Sequence, residues 1–431
     1  MMRLSEVLEA EWRPAFGCTE PAAVAWAASM AAEHAKGEGP IEQVRLVVDP
    51  RTYKNCYAVG IPNSDHRTGI LWALAIGAEL IDPSLGLEVF TACTPAILAR
   101  AQALLDRHGV EVEVDAEAKE LRIDVTVRRG AGLGRKCGRA VLAREHTRVA
   151  LLESDGQAVG GASEAAEVQT ASARSWLAER SLEELLELAH TATPEDRQRL
   201  REGAAMNLAI AEYGVSLLPP TFIETEGRDL QTRAARLVSS GVFARMSGVS
   251  MPVMSLAGSG NKGIASTVPV LLWGREHGCA QPQIDAALAI SCLVTSAVTE
   301  RLGTLSAICG AANASGLGVA AALVLLQGGD ASALSRAVAN MVGNVAGMIC
   351  DGAKIGCAMK SMTGVDAAFR SAALALAGIG IPPTDGIVGA SGEASLANLG
   401  CLAQIGMASV DREILRIMQG KLGVEAFCGM M

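Results

Sequence analysis

Apolar and polar residues alternate along much of the first third of the chain, a pattern that is typical of β-strands with one buried face. Between about residues 40 and 160 the pattern predicts an α+β region with a mixed or antiparallel sheet. The run at 110–128 alternates on both sides of a polar turn, which predicts a hairpin. The strands assigned on this basis are 43–49, 57–61, 87–91, 110–128 as the hairpin, and 149–153.

Helical patterns dominate elsewhere. Residues 4–36 are interpreted as helical, with breaks at Pro14 and at Gly17–Pro21, and 69–80 as a further helix. Ser181 begins a capping-box sequence, and long Ala-, Gly- and Leu-rich helices follow it to the end of the chain. We therefore predict an α+β domain over 1–180, which carries the N-terminal helix, packed on an all-helical domain over 181–431.

Composition narrows the functional classes. Half of the residues are hydrophobic and 3% are aromatic, with 46 glycines, which favours closely packed helices. The net charge of −9 and the absence of a basic run argue against nucleic-acid binding. The N-terminus has no apolar signal-peptide core, so we expect a cytoplasmic protein. The uncharged stretch 302–328 is interpreted as a buried helix because its polar residues make membrane insertion costly, and we expect no membrane association.

The 11 cysteines are an odd number scattered along the chain, and a disulfide framework explains them poorly. Cys350 and Cys357 share a glycine-bearing segment that can turn both thiols toward one point, with Cys309 as a third donor. Three thiolates on a cubane iron–sulfur cluster leave one iron open to a substrate. The alternative is three buried structural cysteines in an Ala/Gly core, which the spacing leaves open.

Two other segments predict substrate contacts, one at a helix start and one at a glycine-rich turn. Cys18, Thr19 and Glu20 precede or begin a helix with Pro21 in its first turn, where free amides bind a carboxylate and favour a thiolate. Cys18 is therefore a candidate base or nucleophile, although a chance cysteine at a helix start is equally compatible. The glycine-rich run 258–263 is a second candidate anion site, formed by Ser259, Gly260, Asn261 and Lys262.

Lys54 and Asn55 follow the predicted strand 43–49, and strand ends commonly carry site residues. Lys54 can pair with a carboxylate or act as an acid, although an ordinary solvated lysine fits the sequence as well. The run 258–263 lacks the Gly-Lys-Ser/Thr of a P-loop, and nothing besides Lys262 supports pyridoxal phosphate. The six histidines show no ligand-like pairing.

Four segments together resemble the L-cysteine desulfidase family, which is related to the alpha chain of iron–sulfur-dependent L-serine dehydratases. The resemblance covers about residues 5–420, with the motifs in the family's order. The segments are Gly17-Cys18-Thr19-Glu20-Pro21, Asp49-Pro50 with Tyr53-Lys54-Asn55, Ser259-Gly260-Asn261 with Gly263, and Cys350-Asp351-Gly352-Ala353-Lys354 with Cys357.

The resemblance implies a lyase that eliminates the β-substituent of a small L-amino acid. Cys309, Cys350 and Cys357 would hold a [4Fe-4S] cluster with one open iron, and Cys18 would be the base or a reversible fourth ligand. Pyridoxal phosphate is not required. The product would be an aminoacrylate that becomes pyruvate and ammonia. A homodimer is an assembly that the sequence leaves open.

This sequence departs from the family pattern near the expected pocket. Cys56 stands where glycine is usual, Lys262 where glutamine is usual, and 62–69 replaces a compact turn. We hypothesise that Lys262, His66 or Arg67 accommodates a larger or more anionic substrate. Cys428 is a further candidate ligand of the open iron. The alternatives are an L-serine-type dehydratase and, in another class, a non-catalytic protein with zinc on the same cysteines.

Overall fold

The coordinates are those of a computed structural model. It describes residues 2–118, 120–130, 135–161, 171–223, 229–303 and 306–421.

The N-terminal region combines helices with a six-stranded mixed sheet in the order β3-β2-β4-β5-β6-β7. Only the β2–β3 pair is parallel. Its helices are α1 (Leu4–Glu11), α2 (Thr19–His34), α3 (Pro50–Cys56), α4 (Ile70–Leu80) and α5 (Pro95–Asp106), with a 3₁₀ helix at Pro83–Ala92. Its strands are β1 (Trp12–Phe16), β2 (Ile41–Val48), β3 (Val110–Val114), β4 (Arg122–Arg129), β5 (Lys136–Ala143), β6 (Val149–Ser154) and β7 (Gln157–Gly160).

The C-terminal region is mostly helical, with one short strand, β8 (Pro252–Leu256). The earlier helices are α6 (Ala171–Ala178), α7 (Leu182–His190), α8 (Pro194–Val215), α9 (Pro220–Ile223), α10 (Leu230–Met246) and α11 (Gly260–Glu276). The later ones are α12 (Gln281–Leu302), α13 (Gly310–Leu326), α14 (Ala331–Val345), α15 (Cys357–Leu376), α16 (Gly392–Cys401) and α17 (Val410–Lys421), with a π-helical turn at Leu402–Gly406. The predicted α+β class is confirmed.

Two hydrophobic cores organise the chain. One lies between α2, α4 and the large sheet and includes Val44 and Ile123. The other fills the helical region and includes Leu288 and Leu317. Because α1 and β1 pack into this second core, and β1 pairs with β8, the N-terminus is joined to the helical region. The predicted division at residue 180 stays a prediction.

Several local predictions were wrong. The run 110–128 contains two strands, but β2 lies between them, so they do not form a hairpin. Residues 57–61 carry only an isolated bridge, and 87–91 belong to the 3₁₀ helix. Residues 12–16 are a strand within the span assigned as helical, because their backbone groups pair with β8 across the molecule. Local pattern does not report such distant pairing partners.

Helix boundaries were predicted better than the strands. The Ser181 capping box is present, with reciprocal bonds between Ser181 and Glu184. The uncharged stretch 302–328 contains α13, most of whose side chains are buried. Among the described residues α12 alone is long and apolar enough, as a single helix, to cross a membrane, and 83% of its apolar window is buried inside the protein.

Candidate functional site

Nearly all of the predicted site residues line one cavity, which encloses about 830 Å³ of space, part of it open to solvent. Residues from both regions of the chain contribute to it. The exception is Gly260, which starts α11 and lies against Arg245, where an added Cβ would stand 2.3 Å from the guanidinium Nε. The predicted residues in the lining are Cys18, Thr19, Glu20, Lys54, Asn55, Ser259, Asn261, Lys262, Cys309, Cys350 and Cys357.

Four helices begin at this cavity. Cys18 is the N-cap of α2, Ser259 of α11 and Cys309 of α13, while Cys357 is the first residue of α15. None of the four N-cap side chains accepts a hydrogen bond from the first turn of its helix. Their first-turn amides and positive dipole ends therefore favour thiolates and anionic ligands in the cavity.

A short antiparallel bridge places two of the cysteines on one face. Ile308 pairs with Ile349; the Cys309 amide donates to the Met348 carbonyl at 2.9 Å, and the Cys350 amide to the Ala307 carbonyl at 2.7 Å. In this register Cys309 and Cys350 are diagonal neighbours, which stand roughly 7–8 Å apart on the same face. Their 41-residue separation in sequence is thus bridged by backbone pairing.

The loop that carries Cys350 is fixed by one buried and one partly exposed ionic contact. Lys54 on α3 donates to the Cys350 carbonyl at 2.8 Å and forms an ion pair with Asp411 on α17. Lys360 donates to the Ile349 carbonyl at 2.8 Å and pairs with Asp351. The two pairs hold the loop from opposite sides. Lys54 is therefore paired with the Asp411 carboxylate, and its catalytic role stays a prediction.

Gly352 is required for this loop to pack. Its φ is +97°, and an added Cβ would stand 2.2 Å from the Lys54 carbonyl oxygen. Gly352→Ala therefore strains the backbone and pushes the loop away from α3. We expect it to lower the unfolding free energy by about 2–4 kcal/mol, the range for combined backbone strain and overpacking.

Chemical denaturation of Gly352→Ala measures this change. The matched control is Gly347→Ala just before the loop, since a Cβ there meets nothing within 4 Å. Equal stability of the two variants would contradict the role given to Gly352.

Cys18, Glu20 and Asn55 form a buried hydrogen-bonded group. The Cys18 thiol donates to Glu20 Oε2 at 3.1 Å, and Asn55 Nδ2 donates to Oε1 at 3.0 Å. Burial and the Glu20 charge raise the pKa of Cys18, which opposes the thiolate expected at this helix start. The role of Cys18 as base or reversible ligand stays a prediction. Burial opposes ionisation of Glu20, but His146, the Cys18 hydrogen bond and Arg245 outweigh it and lower the pKa of Glu20.

Cationic groups line the opposite part of the cavity. Arg245 on α10 is buried and donates to Asn261 Oδ1 at 3.0 Å and to the Gly17 carbonyl at 2.9 Å. Lys262 donates to the Ala257 carbonyl at 2.8 Å and to Thr299 Oγ1 at 3.1 Å. Burial, assisted by Arg174, lowers the pKa of Lys262 from its usual 10.5 to about 7.

This lowered pKa gives the protein a pH-dependent stability. The unfolded chain binds the Lys262 proton up to pH 10.5, whereas the folded chain releases it near pH 7. The unfolding free energy of the wild-type protein minus that of Lys262→Met therefore rises with pH between these values, by about 1.4 kcal/mol per pH unit. Chemical denaturation of both proteins at pH 7, 8 and 9 measures this difference. Because both proteins contain the same cysteines, the titration of the thiols cancels in it. A constant difference would contradict a depressed lysine pKa.

Two further ionisable side chains line the cavity that the sequence did not single out. Arg245 lies inside a helix with no local motif, and His146 lies in a turn between β5 and β6. In contrast, His66 and Arg67 are exposed, Arg67 stacks over Trp72, and neither lines the cavity. Cys428 lies outside the described residues.

The three cysteine donors suit a thiolate-bound cluster. Burial raises the pKa of Cys309 to about 12, with contributions from Cys350 and Cys357, so the three thiols need a cationic centre to ionise together. Within the described ranges no three His, Cys, Asp or Glu side chains are placed to share one metal ion. The described residues therefore show no preformed site for a single ion.

Comparison with known proteins places the chain in a family. The model of the serine dehydratase alpha chain matches residues 86–416, which is more than half of the sequence. The chain belongs to this family. The matched range contains Lys262 and the three cluster-ligand candidates, while Cys18 and Lys54 precede it.

Proteins of the UPF0597 family are similar over almost the full length, including the N-terminal motifs. One from Desulfatibacillum aliphaticivorans is 35% identical over 97% of this chain and 98% of its own. One from Geobacter sulfurreducens is 37% identical over 97% and 99%, and one from Oleidesulfovibrio alaskensis is 38% identical over 97% and 98%. Membership of the serine dehydratase alpha chain family relates the protein to amino-acid dehydratases and lyases.

Proposed function

We propose that the protein is a lyase that eliminates the β-substituent of an L-amino acid, in the manner of an L-cysteine desulfidase. The observation that carries the proposal is the convergence of Cys309, Cys350 and Cys357 with four helix N-termini on one cavity. A [4Fe-4S] cluster on these three cysteines would supply an open Lewis-acid iron for the leaving sulfur or oxygen.

The remaining residues would bind and orient the substrate. The amides at the start of α11 and the Arg245–Asn261 pair form an anion-binding wall for the substrate carboxylate. The Glu20 carboxylate lies on the α2 side and is suited to the substrate ammonium group. Removal of the Cα proton and departure of the β-substituent would give an aminoacrylate, which hydrolyses to pyruvate and ammonia.

The charge of the lining favours a substrate with a second negative group. Three basic side chains, Lys54, Arg245 and Lys262, line the cavity, whereas Glu20 is its one carboxylate among the described residues. Lys262, whose pKa is lowered to about 7, becomes charged when an anion binds beside it. Lys54 is neutralised by Asp411, and Lys262 has no carboxylate within ion-pair distance in the described part of the chain. We therefore extend the hypothesis for Lys262 to β-substituents that carry a negative charge, such as sulfonate or phosphate esters.

Anaerobic reconstitution with iron and sulfide followed by an assay of keto-acid release tests the proposal. We expect a brown protein that releases pyruvate from L-cysteine or from a β-substituted analogue such as O-phospho-L-serine or S-sulfo-L-cysteine. A colourless protein that binds one zinc ion and releases no keto acid from any of them would refute it. Much faster turnover of L-cysteine or L-serine than of both anionic analogues would refute the role of Lys262 alone.

An L-serine dehydratase is the second candidate, and the family match favours it. The same cavity would then hold a hydroxyl as the leaving group. Comparison of kcat/KM for L-serine and L-cysteine in one preparation decides between them, because the two substrates differ only in the leaving atom.

A further inference from the structure

His146 lies in the turn between β5 and β6 and lines the same cavity as the three cysteines. It is the one residue that this part of the sheet contributes to the cavity. Its Nε2 is shielded from solvent and has no hydrogen-bond partner among the residues that the structure describes. Because buried ring nitrogens are normally paired, an unpaired one beside a cavity indicates that its partner is the ligand.

The other candidate bases of the lining already have hydrogen-bond partners. Glu20 accepts hydrogen bonds from Cys18 and Asn55. Lys54 and Lys262 each donate to two acceptors. Cys18 is a neutral thiol whose proton points at Glu20. His146 therefore has the unpaired nitrogen best suited to accept a proton from a substrate.

We propose that His146 is the general base of the elimination, a role that rests on the proposed function. In this step the Cα proton moves to Nε2 and the Cα–H electron pair forms the Cα=Cβ bond. The Cβ–S or Cβ–O bond breaks, and its electron pair leaves with the departing group. The step needs no oxidant or reductant, and the protonated imidazole returns its proton to solvent or to the departing group.

The surroundings of His146 act on its pKa in both directions. Burial lowers the pKa of the imidazole, and Arg174 on α6 lowers it further. Glu20 on α2, Asp49 before α3 and Glu145 in the same turn act in the opposite direction. These three carboxylates stabilise the imidazolium that forms when the proton is taken up.

The test compares His146→Asn with wild-type holoenzyme reconstituted anaerobically. We expect kcat to fall by about 10²–10⁴-fold, the usual contribution of a general base, with KM and iron content unchanged. The acidic limb of the kcat/KM profile should disappear in the variant. The control is His108→Asn, in an exposed turn after α5.

A second variant keeps the test decisive. If His146→Asn loses iron, His146→Ala is assayed with added imidazole, and recovery of keto-acid release supports the base. Wild-type kcat in His146→Asn, or loss of activity with iron and no response of His146→Ala to imidazole, would overturn the inference. Absence of keto-acid release by wild-type enzyme with every substrate would instead refute the proposed function, so the two failures are distinguishable.

Discussion

Replacement of Cys350 by serine should remove the brown colour and most of the activity. A serine oxygen is a poor substitute for a thiolate on iron, and the loop has no second donor at this position. Loss of the Lewis-acid iron forfeits several kcal/mol of transition-state stabilisation. Because each 1.36 kcal/mol of activation free energy changes a rate tenfold, the rate of keto-acid release should fall by about 10³-fold or more. Iron and sulfide per chain, visible absorbance and turnover measure the result.

Two other cysteines provide controls for this variant. Cys292 is buried in α12 within the helical core, and Cys401 is exposed at the end of α16. Cys292→Ser and Cys401→Ser should keep the iron and the activity, because neither thiol lines the cavity. A Cys350→Ser protein that stays brown and active would remove Cys350 from the ligand set.

Asp411→Asn is expected to have the largest effect on stability. The Lys54 side chain is 1% exposed, and Asp411 is its carboxylate partner. The substitution leaves a buried ammonium without a counter-charge, which typically costs about 3–5 kcal/mol. The substitution also weakens the hydrogen bond from Lys54 to the Cys350 carbonyl, so the protein should retain less iron as well as have a lower unfolding free energy. Denaturation and iron content after gel filtration measure both.

The matched control is Glu413→Gln, which breaks an exposed pair with Arg416 on the same helix and should change stability little. The double variant Lys54→Met with Asp411→Leu should recover much of the stability lost in Asp411→Asn, because it leaves no unpaired charge from this pair. It should not recover the iron, since Lys54 no longer anchors the loop. Full stability of Asp411→Asn alone would contradict this account.

The Lys54 contact also explains why the site needs both regions of the chain. Lys54 and Glu20 lie on helices beside the large sheet, while Cys309 and Cys350 belong to the helical region. Their meeting depends on contacts such as β1 with β8 and α3 with α17. Neither region forms the cavity by itself.

The sequence alone determined one of the helix starts that line the cavity. Proline after Cys18 is a local signal, because the chemistry of a helix terminus depends on a few adjacent residues. The prediction that a helix begins at 17–21 therefore needed no knowledge of the fold, whereas 258–263 was predicted only as a turn that binds an anion. The resemblance of the ordered motifs then supplied the family, since no single motif is specific.

Only the tertiary structure decided the contacts between distant segments. It placed β2 between the strands that had been assigned as a hairpin, and brought Cys309 near Cys350 through the Ile308–Ile349 bridge. It also buried Cys18, which raises the pKa of the thiol. It also brought His146 to the cavity, although nothing in its neighbourhood along the chain marks it. The physical reason is that strand pairing, burial and pKa depend on residues far away in sequence, whereas helix starts depend on near neighbours.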